Sequence, residues 1–369
     1  MPHVDHTSEL EINMGPQHPA THGVLRVILQ LQGETIVNVR PVIGYLHRGV
    51  EKLSEARAYR SVTPYTDRLD YCAAYSENHS FIGAVEKLAG IEVPPRAQYM
   101  RVVLAELQRI ASHLVWLGTH AMDIGALTIF LYAFREREKV LDLFEGYCGA
   151  RLTYNAIRIG GMPFEFPDDW IPACRAFLDE LPGRIEQYER MLTANRIWRK
   201  RTEGVGAIDA ATAVANGMTG PTLRGSGVDY DIRKYKPYEC YADLHFDVPV
   251  GSRGDTYDRY LIRMEEMRQS KRLVLEALEK MPDGPIMAKV PGRLRPAKGA
   301  EAYFMTESPR GEMSVYLVSD GSDKPYRVRY RSPSFNNLQG LPVLAKGHMV
   351  ADVVALIGTI DIVLGCVDR

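Results

Sequence analysis

The stretch RVVLAELQRIASHLVWL, residues 101–117, decides the fold class of this 369-residue chain. Its apolar side chains recur at spacings of three and four residues, which places them along one stripe of an α-helix. They are Val103, Leu104, Leu107, Ala111, Leu114 and Leu117. Similar patterns cover 130–144, 172–197 and 259–281. The sequence therefore predicts a helical bundle from about residue 50 to residue 201, with a further helix beyond it.

Short β elements flank the helices. Segments 24–31 and 35–39 are rich in β-branched residues and lie on either side of Gln32-Gly33-Glu34, so they predict a hairpin. Near the other end, strands are predicted at 302–305, 312–319 and 326–331. Turn residues such as Ser319-Asp320-Gly321 separate them.

The rest of the chain completes a mainly α fold with small β elements (α+β). Glycines and small residues fill 204–227, which predicts a long ordered loop, and 346–360 predicts a last helix. We interpret residues 1–369 as a single domain. Its parts are an N-terminal β-hairpin region at about 10–42, a helical core at about 50–300, and C-terminal strands and a helix at about 301–369.

Charge and hydropathy restrict the class of protein. The formal net charge of −1 gives no footprint for nucleic acid. The first ten residues show no signal or transit segment. The most apolar segments, 121–134 and 349–367, are interrupted by Asp123 and by Asp352 and Asp361, and a membrane span needs about 20 uninterrupted apolar residues. We therefore expect no transmembrane segment, and any membrane association to come through partners.

Cysteines and histidines give little by themselves. The five cysteines are Cys72, Cys148, Cys174, Cys240 and Cys366, with no CxxC pair, so neither a disulfide framework nor a thiolate metal site is indicated. The densest polar cluster is MGPQHPATHG, residues 14–23. Its two histidines would suit a metal on a helix, but its two prolines predict a turn. From periodicity alone, imidazoles that cap backbone groups are the commoner interpretation.

Several segments resemble a known family. The stretch 15–26 is similar to the N-terminal segment of the D-type subunit of complex I, the respiratory NADH:quinone oxidoreductase. ESPRGE (307–312) and SPSF (332–335) resemble segments shared with the large subunit of nickel–iron hydrogenases. Further similar segments are IGYLHRGVEK (43–52), RIASHL (109–114), FRERE (134–138) and RIGG (158–161). The similarity runs in order from about residue 11 to residue 369 and implies a helical core like that of the hydrogenase large subunit.

The resemblance also makes the absence of CxxC pairs informative. A nickel–iron hydrogenase holds its metals with four thiolates in two CxxC pairs, because such a centre needs soft ligands. In this chain Asp70 and Ala73 stand at the first pair, and Val363 and Cys366 at the second. One thiol of four does not hold that centre, so an independent soluble hydrogenase is excluded. We expect the chain itself to bind no metal.

What the resemblance implies instead is a quinone site. Reduction of a quinone takes two electrons and two protons, so the site needs hydrogen-bond donors that also release protons. The resemblance assigns both binding and protonation to Tyr71 and His22. It places Asp123 beside that histidine, where a carboxylate raises the histidine pKa and fixes its tautomer. The alternative for Asp123, preferred without the resemblance, is a surface cap at a helix end.

The resemblance further places Arg48 and Arg68 near an iron–sulfur cluster that a partner subunit binds. For each arginine the alternative is an ordinary surface ion pair. Many family members carry histidine where this chain has Thr153. Threonine does not titrate in this range, and we hypothesise that the cluster serves a lower-potential acceptor such as menaquinone. His113, on the amphipathic helix, is predicted to be structural.

These observations predict a quinone-binding subunit of a proton-translocating oxidoreductase. No GxGxxG segment follows a predicted strand, so the cofactors FMN, NADH and the iron–sulfur clusters are expected on partner subunits. The expected partners are the other peripheral-arm subunits, above all the cluster-carrying subunit and the membrane-arm subunit at the quinone entrance. The expected location is peripheral, on the cytoplasmic side of the bacterial plasma membrane. The alternative is a hydrogenase-like scaffold subunit of a related membrane-bound oxidoreductase fed by ferredoxin or another donor.

Overall fold

A computed structural model describes residues 9–16 and 23–369 of the chain. Helices dominate the described part, and two small antiparallel sheets accompany them, which confirms the predicted fold class. The helices are α1 (Val50–Glu55), α2 (Tyr59–Thr66), α3 (Ala74–Ala89), α4 (Pro95–Asp123), α5 (Leu127–Cys148), α6 (Trp170–Leu192), α7 (Arg196–Thr202), α8 (Ala210–Ala215), α9 (Pro221–Arg224), α10 (Ile232–Tyr235), α11 (Thr256–Lys280), α12 (Pro333–Gln339), α13 (Leu341–Ala345), α14 (Val353–Thr359) and α15 (Leu364–Asp368). The strands are β1 (Glu9–Met14), β2 (Arg26–Gln32), β3 (Thr35–Val42), β4 (Glu301–Ser308), β5 (Gly311–Ser319) and β6 (Pro325–Arg331).

Helix α4 is the centre of the larger core. Proline at its first position suits the start of a helix, because the missing N–H would have no intrahelical partner there. The helix packs against α5 and α11, and the sheet β4–β5–β6 packs on α3. The predicted apolar stripe is present, but charged residues on the other faces, Arg101, Glu106 and Arg109, are buried as well. They are covered because neighbouring elements surround α4 on more than one side.

The N-terminal sheet has the order β1–β2–β3. The predicted hairpin is confirmed as β2 and β3, with Gly33 in the left-handed conformation (φ 61°) that its tight turn requires. Strand β1 was missed; it pairs antiparallel with β2, with Leu10 opposite Leu31. The inner face of β2, Val27, Leu29 and Leu31, packs with the C-terminal helices in a second apolar core.

Three predicted elements differ from the structure. The helix predicted at 172–197 ends at Leu192, and α7 begins after Asn195, whose side chain accepts hydrogen bonds from the backbone N–H groups of Ile197 and Trp198. The loop predicted at 204–227 contains the short helices α8 and α9. The helix predicted at 346–360 is confined to α14 and a preceding 3-10 turn (Val350–Asp352), because the backbone carbonyl of His348 accepts a hydrogen bond from β3 instead.

Over the residues that the structure describes, no helix is both long enough and apolar enough to cross a membrane. The division of the chain into a single domain stays a prediction.

Candidate functional site

Tyr71 lies on a rigid turn between α2 and α3. The side chain of its neighbour Asp70 is fully buried, and Asp70 Oδ1 accepts hydrogen bonds from the backbone N–H groups of Cys72 and Ala73, each over 3.1 Å. Tyr71 itself keeps 37% of its surface exposed. Partial burial raises the pKa of its hydroxyl above the usual value, so the phenol stays protonated at neutral pH. The turn therefore holds a partly exposed tyrosine whose hydroxyl is protonated at neutral pH.

Arg310 holds this turn from behind. It lies in the turn between β4 and β5, and its Nη1 donates to Asp70 Oδ2 over 2.7 Å and to Ser112 Oγ over 3.1 Å. On its other side it donates to the backbone carbonyl of Asp361 over 2.7 Å and to its carboxylate over 3.2 Å. Burial raises the pKa of Asp70, and the Arg310 guanidinium opposes that rise. One buried cation thus joins the Tyr71 turn to the segment that precedes α15.

The two segments that the resemblance aligns with the thiolate pairs of the hydrogenase are in direct contact. A side chain added at Gly365 would approach the backbone oxygen of Leu69 at 2.6 Å. Cys366 is buried, with its sulfur 2.8 Å from Ser332 Oγ and 3.4 Å from Glu77 Oε1. Burial raises the pKa of the Cys366 thiol well above its usual value, so this sulfur is a thiol. Within the described ranges, no group of three or more His, Cys, Asp or Glu side chains is placed to hold a metal ion.

Arg48 lies against the same segment. Its Nη2 donates to the backbone carbonyl of Gly365 over 3.1 Å, and its charge lowers the pKa of Tyr71 against the larger effect of burial. Arg68 also lies near Arg48, since a side chain added at Gly365 would lie 3.1 Å from the Arg68 backbone oxygen and 3.2 Å from Arg48 Nη2. Desolvation, and then the Arg68 charge, lower the pKa of Arg48. The Arg68 side chain is 53% exposed and 3.9 Å from Asp67 Oδ2. The structure therefore brings Tyr71, Arg48 and Arg68 to one region.

The loop that carries Arg48 is fastened by residues from the far end of the chain. The carboxylate of Asp368 accepts hydrogen bonds from the backbone N–H groups of Gly44 and Leu46, over 2.8 and 2.7 Å. His47 Nδ1 lies 2.6 Å from the backbone carbonyl of Asp368. The backbone N–H of Arg48 donates to the carbonyl of Arg369 over 3.0 Å. Arg48 is thus positioned by backbone contacts as well as by its own side chain.

Of the other two expected site residues, one lies outside the described part. His22 falls in residues 17–22, so its relation to Tyr71 stays a prediction. Asp123 is the last residue of α4 and is half-buried. Both its role beside the histidine and the alternative of a cap at a helix end stay predictions. Exposed apolar side chains, Met122, Leu127 and Leu131, accompany Asp123 on this surface.

Thr153 adopts a backbone conformation that is rare for its type. Its φ of 53° lies in the left-handed region, which β-branched residues avoid. Two residues later, the backbone N–H of Asn155 donates to Asp67 Oδ1 over 3.3 Å, which ties this turn to the residue before Arg68. Burial raises the pKa of Asp67 to about 6. Strained backbone of this kind is often found where structure serves a function.

Sequence reasoning missed the buried charges behind the site. Glu77 was not among the expected site residues, yet it is fully buried next to Cys366. A second buried cluster joins α4, α9, α10, α11 and β4 through Glu106, Arg109, Arg224, Asp231, Arg233, Glu266 and Glu307. His113 belongs to it, with Nε2 2.7 Å from Glu266 Oε2, which agrees with a structural role. The charged residues among the apolar positions of 101–117 were the one sequence feature that could have indicated this buried cluster.

Comparisons with known proteins identify the class. The family described as "Respiratory-chain NADH dehydrogenase, 49 Kd subunit" matches residues 123–300 and 292–369. The chain is 53% identical over 363 residues to the D-type subunit 2 of the NADH-quinone oxidoreductase of Solibacter usitatus, and the match covers 98% of each chain. It is 51% identical to the D-type subunits of the NADH-quinone oxidoreductases of Geotalea uraniireducens and Desulforamulus reducens, each match covering 98% of this chain and 99% of the relative.

The chain is therefore a subunit of a respiratory oxidoreductase. It belongs to the family of the 49 kDa subunit of respiratory-chain NADH dehydrogenase, which is the D-type subunit family of NADH-quinone oxidoreductase, and the resemblance stated from the sequence is confirmed. The family description covers the chain from Asp123 onwards, whereas the relatives match 98% of it.

Proposed function

We propose that this chain binds the quinone headgroup and supplies protons to it within an NADH-quinone oxidoreductase complex. The observation that carries the proposal is the Tyr71 hydroxyl, presented on a turn that buried Asp70 and Arg310 fix in place. A hydrogen-bond donor fixed before the substrate arrives loses little energy in reorganisation. The relatives' names supply the reaction, oxidation of NADH by a quinone, and favour NADH over ferredoxin as the electron source.

The chemistry assigned to Tyr71 follows from its surroundings. The Tyr71 hydroxyl donates a hydrogen bond to a carbonyl oxygen of the quinone. When electrons arrive, negative charge develops on that oxygen, and the proton moves from Tyr71 to it. The nearby Arg48 cation stabilises the phenolate that Tyr71 becomes. We assign the second proton to His22 and the support of that histidine to Asp123, as the resemblance implies.

The remaining roles belong to the assembled complex. We propose that Arg48 and Arg68 face the iron–sulfur cluster of the neighbouring subunit, since both lie beside Tyr71 and have side chains that reach the surface. FMN and the clusters are assigned to partner subunits, and the membrane-arm subunit to the quinone entrance. The complex would hold this chain at the cytoplasmic side of the plasma membrane, with a lower-potential quinone such as menaquinone as the acceptor.

Replacement of Tyr71 by phenylalanine in the assembled complex tests the proposal. Phenylalanine keeps the ring and removes the hydroxyl, so we expect quinone reduction to fall by roughly a hundredfold or more, within the usual range for a lost proton donor. Reduction of an artificial acceptor by NADH, upstream of this site, should persist. Tyr326→Phe, at a tyrosine that is 68% exposed on β6, is the matched control. Normal quinone turnover in Tyr71→Phe would reduce Tyr71 to a packing residue.

A further inference from the structure

A cavity of about 470 Å³ lies at the surface between α2 and the segment 286–291. Two exposed arginines and several apolar side chains line it, among them Arg60, Arg158, Ile159, Met287 and Val290. Met287 leaves 39% of its surface exposed there. Apolar surface between two cations is more than the solvation of surface charge requires. The cavity therefore offers contacts to an apolar group and to anions in one place.

Hydrogen bonds hold the walls of this cavity in place. The backbone N–H of Ala288 donates to the carbonyl of Gly160 over 2.8 Å. Arg60 Nη2 donates to the backbone carbonyl of Pro291 over 2.7 Å, which ties the far side of the segment to α2. A surface that is ordered before its ligand arrives loses little conformational entropy on binding. The cavity is therefore suited to be a binding surface.

The segment 286–300, called here the basic loop, continues from the cavity with an unbalanced charge. It contains no acidic residue, and its four exposed cations are Lys289, Arg293, Arg295 and Lys298. Within the part of the chain that the structure describes, none of the four forms a salt bridge, and neither do the two arginines of the cavity. The whole chain is nearly balanced, with 45 lysines and arginines against 46 aspartates and glutamates. The excess of positive charge is therefore local.

The basic loop is fixed at its other end as well. The backbone N–H of Gly299 donates to the carbonyl of Ser319 over 2.8 Å, and Ser319 Oγ donates to the carbonyl of Pro296 over 3.1 Å. Leu294 is buried between the exposed arginines on either side of it. The cations are thus spread along a fixed path from the cavity to the end of β5. A row of separated cations fits an extended row of carboxylates better than one compact anion.

We propose that the cavity and the basic loop form a docking surface for an acidic segment of another subunit of the complex. An apolar side chain of that segment would fill the cavity beside Met287, whose flexible thioether adapts to the shape of a partner. Its carboxylates would pair with Arg60, Arg158 and the basic loop, since a guanidinium binds a carboxylate through two parallel hydrogen bonds. The inference uses the family membership, which makes this chain one subunit of a complex, and does not depend on the quinone chemistry.

Zero-length cross-linking of the assembled complex tests the chemistry of the partner. A carbodiimide joins a lysine only to a carboxylate in direct contact with it, and the basic loop offers Lys289 and Lys298. We expect mass spectrometry to find one or both of them joined to aspartate or glutamate residues of one other subunit. Cross-links within this chain alone, or none, would overturn the proposal. A phospholipid or inorganic phosphate bound to the basic loop would give that contrary result.

Charge reversal measures how much the surface contributes. Lys289 and Arg293 donate no side-chain hydrogen bond to any described residue, so Lys289→Glu with Arg293→Glu should leave the fold intact. We expect the cross-linked subunit to dissociate from the complex roughly tenfold faster or more, as followed by native mass spectrometry after dilution. The matched control is Arg196→Glu with Lys200→Glu, at two exposed cations of α7, which changes the net charge equally and should leave the rate unchanged.

The outcomes are separate from those for the quinone site. An unchanged dissociation rate in the Lys289 and Arg293 variant overturns the docking surface, and so does equal acceleration in the control, because net charge would then explain both. If the double glutamate variant does not assemble, Lys289→Gln with Arg293→Gln replaces it. Faster dissociation in that variant, with a weaker dependence on salt than in the wild type, supports the proposal, and a wild-type rate overturns it. Tyr71→Phe tests the proposed function and leaves this surface unchanged.

Discussion

Arg310 Nη1 and Asp70 Oδ2 are 2.7 Å apart, although 240 residues separate the two in the chain. Both side chains are buried, and the bond joins the β4–β5 turn to the turn that carries Tyr71. Loss of either partner should destabilise the fold, because it leaves the other as an uncompensated buried charge. The position of Tyr71 therefore depends on tertiary structure, because a residue distant in sequence holds the turn that carries it.

Arg310→Met should destabilise the protein by about 3–5 kcal/mol, since it leaves Asp70 and Asp361 buried without their cation. Pulse proteolysis of this chain in the assembled complex measures the change. The double variant Asp70→Asn with Arg310→Met removes one of the two unpaired charges and should recover part of the loss. If the two changes were simply additive, the ion pair would have no energetic coupling.

Asp67 gives a stability difference with a definite pH dependence. Its pKa is raised from 3.8 to about 6 in the fold, so the ionised form is disfavoured there and stability is lost as pH rises from about 4 to about 6. Asp67→Asn keeps an acceptor for the Asn155 N–H and removes that cost. We expect it to stabilise the protein by about 1–3 kcal/mol at pH 8 and to have little effect at pH 4. Thermal unfolding at both pH values measures this, and an equal effect at the two would contradict the raised pKa.

Gly220 should tolerate alanine much less well than Gly33. Both have left-handed φ angles, 67° and 61°, but a Cβ at Gly220 would lie 2.5 Å from the backbone oxygen of Arg310, whereas Gly33 faces open space. Gly33→Ala should cost about 1–2 kcal/mol through conformation alone. Gly220→Ala adds a backbone clash and should cost at least about 3 kcal/mol. Similar losses in the two variants, in denaturant titrations, would show that the β4–β5 turn moves freely.

On the proposed assignment, Arg48 and Arg68 should tune the iron–sulfur cluster of the neighbouring subunit to different extents. A nearby cation stabilises the reduced, more negative cluster, so removing it lowers the midpoint potential. We expect Arg48→Gln to lower it by on the order of 20–70 mV. Arg68→Gln should lower it by less, because solvent screens the 53% exposed Arg68 side chain, whereas Arg48 is desolvated enough for its pKa to fall. Redox titration followed by electron paramagnetic resonance measures both. Unchanged midpoint potentials in both variants would show that these arginines only form ordinary surface ion pairs.

Thr153→His should make the potential of that cluster depend on pH. The wild-type residue has no titrating group, whereas an added histidine near the cluster couples its proton to the electron, with a slope of up to about 59 mV per pH unit. Thr153→Gly relieves the left-handed backbone without adding a titrating group and is the control. A strong pH dependence already present in the wild-type complex would count against menaquinone as the acceptor.

The fold was predicted well where the pattern is local. Helical spacing within 101–117 and the hairpin around Gly33 depend on near neighbours, and both are present. Strand β1 was missed because its pairing with β2 is a contact between separate segments, which no spacing within 9–14 reveals. The break at Asn195 was missed because the apolar spacing continues through it, and only the side-chain cap ends one helix and begins the next.

The candidate site was likewise predicted only in part. Tyr71, Arg48 and Arg68 came from the family resemblance, and the structure brings them to one region. Glu77 was not predicted, because a glutamate on a helix is usually exposed and its burial depends on Cys366, 289 residues away. Asp67 was missed for the same reason. Burial by distant segments determines their pKa values, and no local pattern encodes it.

The contacts of Asp368 with Gly44 and Leu46 span 324 and 322 residues. During synthesis on the ribosome, the loop that carries Arg48 therefore emerges long before the residues that fasten it. Until then the loop lacks the hydrogen bonds that hold it in the folded protein. Ordering of the Arg48 loop therefore requires closure of a long stretch of chain, which makes it a non-local and comparatively slow step of folding.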